Sequence, residues 1–181
     1  MKTNKKNSND VKNNSSLNSL FINQLKKIYG IEQMLLKKLP VMERSVTSSE
    51  LKETIEEHID ITETQVKRLD EVFSIIGIAI EAGKSAAIEG IIEEGNELIK
   101  ETPDSLVRDA AIIAVIQKIE HYEIASYGCL RTWAKLLEYE EASDLLQTTL
   151  DEEGEMDEKL TEIAEASVNE EAMMETEAGE E

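Results

Sequence analysis

Residues 78–104 read "IAIEAGKSAAIEGIIEEGNELIKETPD" and lie between two long helical patterns. The stretch contains Gly83, Gly90 and Gly95, and its apolar period is weaker than that of its flanks. It reads as a connection carrying one short helix, about residues 84–100. "TPDS" at 102–105 then signals a new helix, with Asp104 or Thr102 as the cap and the proline ahead of the helix interior. The length of this connection decides the topology. Short links join antiparallel neighbours, whereas a long one lets the chain cross a bundle.

Upstream, a first helix starts after Ser16 or Ser19 and runs through "LFINQLKKIYGIEQMLLKKLPVME". Its apolar stripe is Leu25, Tyr29, Leu35, Leu36 and Leu39, and Pro40 should kink or end it. "TSSE" at 47–50 caps a second helix through Ser48 or Ser49, with Ile55, Ile59, Val66, Leu69 and Phe73 facing inward. Downstream, a third helix extends to about Glu138 along Leu106, Ala110, Ile113, Ile116, Ile124 and Tyr127. A fourth begins near Glu141. Four long helices with a single crossover, between the second and third, predict an all-α, ferritin-like four-helix bundle over residues 17–168. Residues 1–16, rich in Asn, Lys and Ser, and the acidic, small-sided residues 169–181 read as disordered tails.

Composition agrees. Charged residues make up 32% of the 181, aromatics only 4%, and there are two prolines and eight glycines, a balance that favours helix. A net charge of −20 argues against binding nucleic acid or anionic lipid, and suits a protein that attracts cations. The lone Cys129 excludes an intrachain disulfide framework and fits a reducing compartment. No apolar core of a signal peptide follows the basic start, and no window approaches the ~18 apolar residues of a membrane span. The expected location is the cytoplasm.

Acids fall where a core should be. A helix turns ~100° per residue, so positions three or four apart share a face. Glu32 lies between Tyr29 and Leu35, Glu120 between Ile116 and Ile124, and Glu123 one turn after Glu120. Glu153 and Asp157 share the inward face of the fourth helix with Leu146, Thr149 and Leu160. The second helix offers His58, Thr62 and Gln65. Burying an unpaired carboxylate costs several kcal/mol or more, so such acids are protonated, paired with a base, or bound to a cation. No Lys or Arg obviously opposes them. Each acid alone is compatible with a solvated boundary position, but acids at one depth on three helices point to divalent metal. An oxygen-rich set with one histidine suits iron or manganese, as one or two ions. His121, about 100° away from Glu120, reads as a packing residue. Tyr29, Tyr122 and Tyr127 read as core groups or neighbours of the site.

"LKKIYGIEQMLLKKLPVM", "HIDITETQVKRLDEVF", "IEHYEIASYGCLRTWAKLL" and "LLQTTLDEEGEMDEKLTEIA" resemble the YciF-like family of bacterial ferritin-like, rubrerythrin-related stress proteins. The resemblance covers roughly residues 17–166, with "EHYEIASYG" its most specific piece. It implies a ferritin-like bundle, a homodimer, and metal ligands at Glu32, Glu120 with Glu123, and Glu153. A standard site carries Glu-x-x-His on the second and fourth helices. Here the second helix has Thr62 and Gln65, with His58 one turn earlier, and Glu153 is followed by Met156 and Asp157. The functional expectation is a cytoplasmic stress protein whose carboxylate-rich centre holds iron or manganese and acts on peroxide or oxygen. The alternative is a non-catalytic bundle with a degenerate site, serving a structural or partner-binding role.

Overall fold

A computed structural model describes residues 15–175, all helical apart from caps and connections. The helices are α1 (Ser16–Glu43), α2 (Ser49–Ile76), α3 (Ala86–Glu101), α4 (Leu106–Leu136), α5 (Glu140–Ile163) and α6 (Asn169–Met174), with a π-helical turn over Ala164–Val168. α1, α2, α4 and α5 form the bundle. α1 borders α2 and α4, and α5 borders the same two, so the two helical hairpins pack side by side. Each long helix buries one stripe, for example Phe21, Leu25, Ile28, Ile31, Leu35 and Leu39 on α1. Leu36, Ile59 and Ile124, expected inward, are only partly buried, because the stripes run one position to the side of those residues.

The connection crosses as its length predicts. Gly77 closes α2 in the left-handed conformation, φ 72°, which costs glycine nothing. The chain then passes over α1, where the N–H of Gly83 donates to the Lys26 carbonyl at 2.6 Å. A Cβ on Gly30 would stand 2.0 Å from the Gly83 carbonyl oxygen, so this crossing needs glycine in α1. Beyond it, Ser85 and the Tyr122 hydroxyl meet at 3.2 Å, and α3 lays Ile88 and Ile92 against the bundle beside α4.

At the opposite end, the buried Asp109 accepts from the Thr47 N–H at 2.9 Å and the Ser48 N–H at 2.6 Å. A side chain in the first turn of α4 thus pins the loop between α1 and α2. Ser48 caps α2, as expected, and Ser15 caps α1. The cap of α4 is Ser105, which accepts from the Arg108 N–H, rather than Asp104 or Thr102. Asp104 is paired instead with the Arg108 side chain one turn on. Pro40 does not end α1, which continues to Glu43.

The acidic end differs from expectation over residues 169–175. The buried Val168 anchors the π turn, α6 continues the helix to Met174, and Glu175 accepts from the Leu106 N–H at 3.0 Å. A carboxylate at the start of α4 is favoured by the exposed N–H groups there. The remainder of that expected tail, and residues 1–14, lie outside the described residues.

Candidate metal centre

Glu32 on α1, His58 on α2, Glu120 and Glu123 on α4, and Glu153 on α5 meet inside the bundle, none more than 1% exposed. Every bundle helix contributes. His58, Glu120 and Glu153 each bring a ligand atom within 4.8 Å of the others, and so do Glu32, Glu123 and Glu153. Glu153 belongs to both groups. His58 Nε2 lies 3.4 Å from Glu120 Oε1. Helical spacing produces this convergence: Ile116, Glu120, Glu123 and Tyr127 form one buried line on α4, and Thr149, Glu153, Met156 and Leu160 another on α5.

Few of these polar atoms are satisfied. The Tyr127 hydroxyl donates to Glu32 Oε1, and Gln65 Nε2 donates to Glu153 Oε1 at 2.9 Å. Thr62 turns back, donating to the His58 carbonyl at 2.9 Å. No N–H or alcohol hydroxyl among the described residues reaches Glu32 Oε2 or either oxygen of Glu120 or Glu123, His58 Nε2 has no hydrogen-bond partner, and the Glu120 carboxyl is left to share a proton with that of Glu153. Buried polar atoms are ordinarily paired, so orphans gathered at one point call for a proton or a cation among them, and the two groups of ligand atoms could hold a metal ion.

The electrostatics say the same. Burial, followed by neighbouring carboxylates, pushes Glu32, Glu120 and Glu123 well above the usual carboxyl range. Burial likewise lifts Glu153 to about 7, against the pull of Glu120, Arg68 and Gln65. Burial lowers His58 to about 4, so its imidazole is neutral and keeps a lone pair for a ligand bond. Burial and the adjacent Glu32 raise Tyr127, which holds its proton. Without metal the acids are accommodated by protons. With metal they are anionic ligands.

The structure therefore brings together five of the six residues expected from sequence. Asp157 lies outside both groups of ligand atoms: it is half-buried, with Oδ2 3.5 Å from Nε2 of His121, although its Oδ1 is buried without a hydrogen-bond partner and its charge bears on Glu120. Met156 takes the inward position and rotates Asp157 to the edge of the face. His121 is not a packing residue, since its side chain is 69% exposed. Tyr29 turns away from the acids and meets Phe73 edge to face at 5.5 Å.

Sequence reasoning missed Arg68 and Glu152. Arg68 grips Glu152 with two guanidinium nitrogens at 2.7 Å each and donates to Thr149 Oγ1 at 2.7 Å. Its place one turn after Gln65 was the available signal, disguised as an ordinary surface cation.

A bundle of four long helices, crossed once at its midpoint and lined at its centre by acids from three helices and a histidine from the fourth, is a ferritin-like four-helix bundle. Within that class the chain belongs to the family described as a domain of unknown function (DUF892), which matches residues 16–173. It is 42% identical to Protein YciF of Escherichia coli K12 over 161 residues, 88% of this chain and 97% of that protein. The crystal structure of the E. coli stress protein YciF superposes with a TM-score of 0.82 at 41% identity, covering 86% of this chain and 98% of the other. YcfI from Rhodopseudomonas palustris gives 0.78 at 36% identity, covering 81% and 94%. A Xanthomonas campestris protein at 22% identity and a TM-score of 0.67, covering 85% and 94%, shares the fold.

Proposed function

We propose that this chain is a ferritin-like stress protein that binds two divalent cations, iron or manganese, at the five-residue centre. The single observation that carries this reading is the set of orphaned ligand atoms on Glu32, His58, Glu120 and Glu123, buried together and arranged around Glu153. The donor set fits the cations: carboxylate oxygens suit manganese and ferrous iron, and one neutral imidazole adds affinity for the latter. A stress role is supported by the E. coli relative, which is described as a stress protein.

When bound, such a metal pair supplies electrons for the reduction of peroxide or oxygen. The chain supplies the rest. His58 presents a lone pair because burial keeps it neutral. Tyr127 keeps its proton and donates it in a hydrogen bond to Glu32 Oε1, which leaves Oε2 without a hydrogen-bond partner. The apolar walls exclude bulk water, which strengthens every charge interaction inside. In this reading the protein works in the cytoplasm as a homodimer, which light scattering after size exclusion measures. Among the described residues no helix is long and apolar enough to cross a membrane.

Anaerobic reconstitution with Fe2+ or Mn2+ tests the reading. Two ions per chain should survive desalting and raise the melting temperature, because a ligand at 1,000 times its Kd stabilises by about 4 kcal/mol. The loaded protein should consume peroxide and the chelated protein should not. No retained metal and no thermal gain would refute the centre, and leave a bundle with a purely structural or partner-binding role.

A further inference from the structure

Both groups of ligand atoms depend on one carboxylate. Glu153 is shared between the His58–Glu120 group and the Glu32–Glu123 group, so it would serve both only while its side chain keeps one orientation. A glutamate side chain is rich in rotamers, and something must restrain it.

Gln65 does so. It is fully buried, and its Nε2 lies 2.9 Å from Glu153 Oε1 and 3.3 Å from Glu152 Oε2. Glu152 is in turn held by the Arg68 guanidinium, which also reaches Thr149 one turn before Glu153. Two residues of α2 and three of α5 thus form a continuous polar ladder across one seam of the bundle, ending on the shared carboxylate. The choice of an amide has a chemical reason. A neutral N–H holds one oxygen without repelling a cation, whereas lysine there would compete with the metal. The positive charge needed to brace the ladder sits further out, on Arg68, matched by Glu152 in a two-point pairing.

We propose that Gln65 is a positioning residue that fixes Glu153 as the carboxylate shared by two cations, with Arg68 and Glu152 bracing its amide. This rests on the metal reading above and goes beyond it, because it assigns a role to groups that are not ligands.

The test uses the full chain, anaerobic, titrated with Mn2+ alone, and reads both affinity and low-temperature electron paramagnetic resonance. Wild type should take up two ions with a spin-coupled spectrum. Gln65→Leu and Gln65→Glu should weaken the second ion about 10- to 100-fold, the usual range for partners behind metal ligands, and show the six-line signal of isolated Mn2+. Arg68→Met should fall between. Coupled, wild-type binding by Gln65→Leu overturns the proposal, as does tighter binding by Gln65→Glu, which a direct ligand at that position would produce. Should Gln65→Leu fail to fold, the isosteric Gln65→Glu decides. A wild type holding one ion, or two uncoupled ions, also overturns it. A wild type that binds no Mn2+ refutes the metal centre itself, whereas unchanged variants refute the positioning role alone.

Discussion

Glu153→Gln in metal-free protein exposes what the buried centre costs. The side chain keeps its shape, and its carbonyl can still accept from Gln65 Nε2. Burial lifts the Glu153 carboxyl from 4.5 to about 7 in the folded protein. Because the folded value is raised, its contribution to stability is fully present below pH 4.5 and is lost as pH rises through about 7. Each tenfold change in proton affinity is about 1.4 kcal/mol, so the loss from this group is about 3 kcal/mol. For a chain of this size that is roughly 6–12 °C in melting temperature. His58 acts in the opposite direction: its folded value is lowered to about 4, so its contribution is present above 6.5 and fades as pH falls through 4. The wild-type curve alone therefore mixes these two with Glu32, Glu120 and Glu123, whose carboxyls burial also raises. The informative quantity is the difference between wild type and Glu153→Gln, measured by urea unfolding in chelator from pH 4.5 to 8. That difference should grow with pH in favour of the variant, to about 3 kcal/mol. Adding Mn2+ should stabilise wild type more than the variant. Parallel curves across the range would refute the reasoning, because Glu153 would then ionise in the bundle as it does in water.

Tyr127→Phe removes the hydroxyl that donates to Glu32 Oε1, and should destabilise the metal-free protein by about 1–3 kcal/mol in urea unfolding, the cost of one buried orphaned acceptor. Asp109→Ala frees the backbone N–H groups of Thr47 and Ser48. It should cost about 2–3 kcal/mol while leaving Mn2+ affinity unchanged, since Asp109 pins the loop between α1 and α2 and is not part of the five-residue centre.

How far the sequence reveals this molecule depends on the reach of the interaction concerned. The bundle is legible because helical period and connection length are local, and the stretch at 78–104 announces its crossover by length alone. Glu32, Glu120, Glu123 and Glu153 are legible because each interrupts an apolar stripe of its own helix. His58 is legible by the same rule, one turn before the position where the usual ferritin-like histidine motif places its ligands. Asp157 falls outside both groups of ligand atoms because positions 153 and 157 differ by about 40° around a helix, enough for Met156 to take the interior and leave Asp157 at the edge. The ladder from Arg68 to Glu153 leaves only a faint trace, the place of Arg68 one turn after Gln65. It joins residues more than eighty positions apart, and each of them reads locally as ordinary: a cation in a charged helix, an acid in an acidic helix, a glutamine on an inward face. Only the packing of α2 on α5 brings the amide of Gln65, at a position where the motif would place a ligand, onto Glu153 Oε1. The second helix thus departs from the usual metal motif without abandoning the centre: His58 faces Glu120, and the position the motif would give to a ligand carries the donor that orients Glu153.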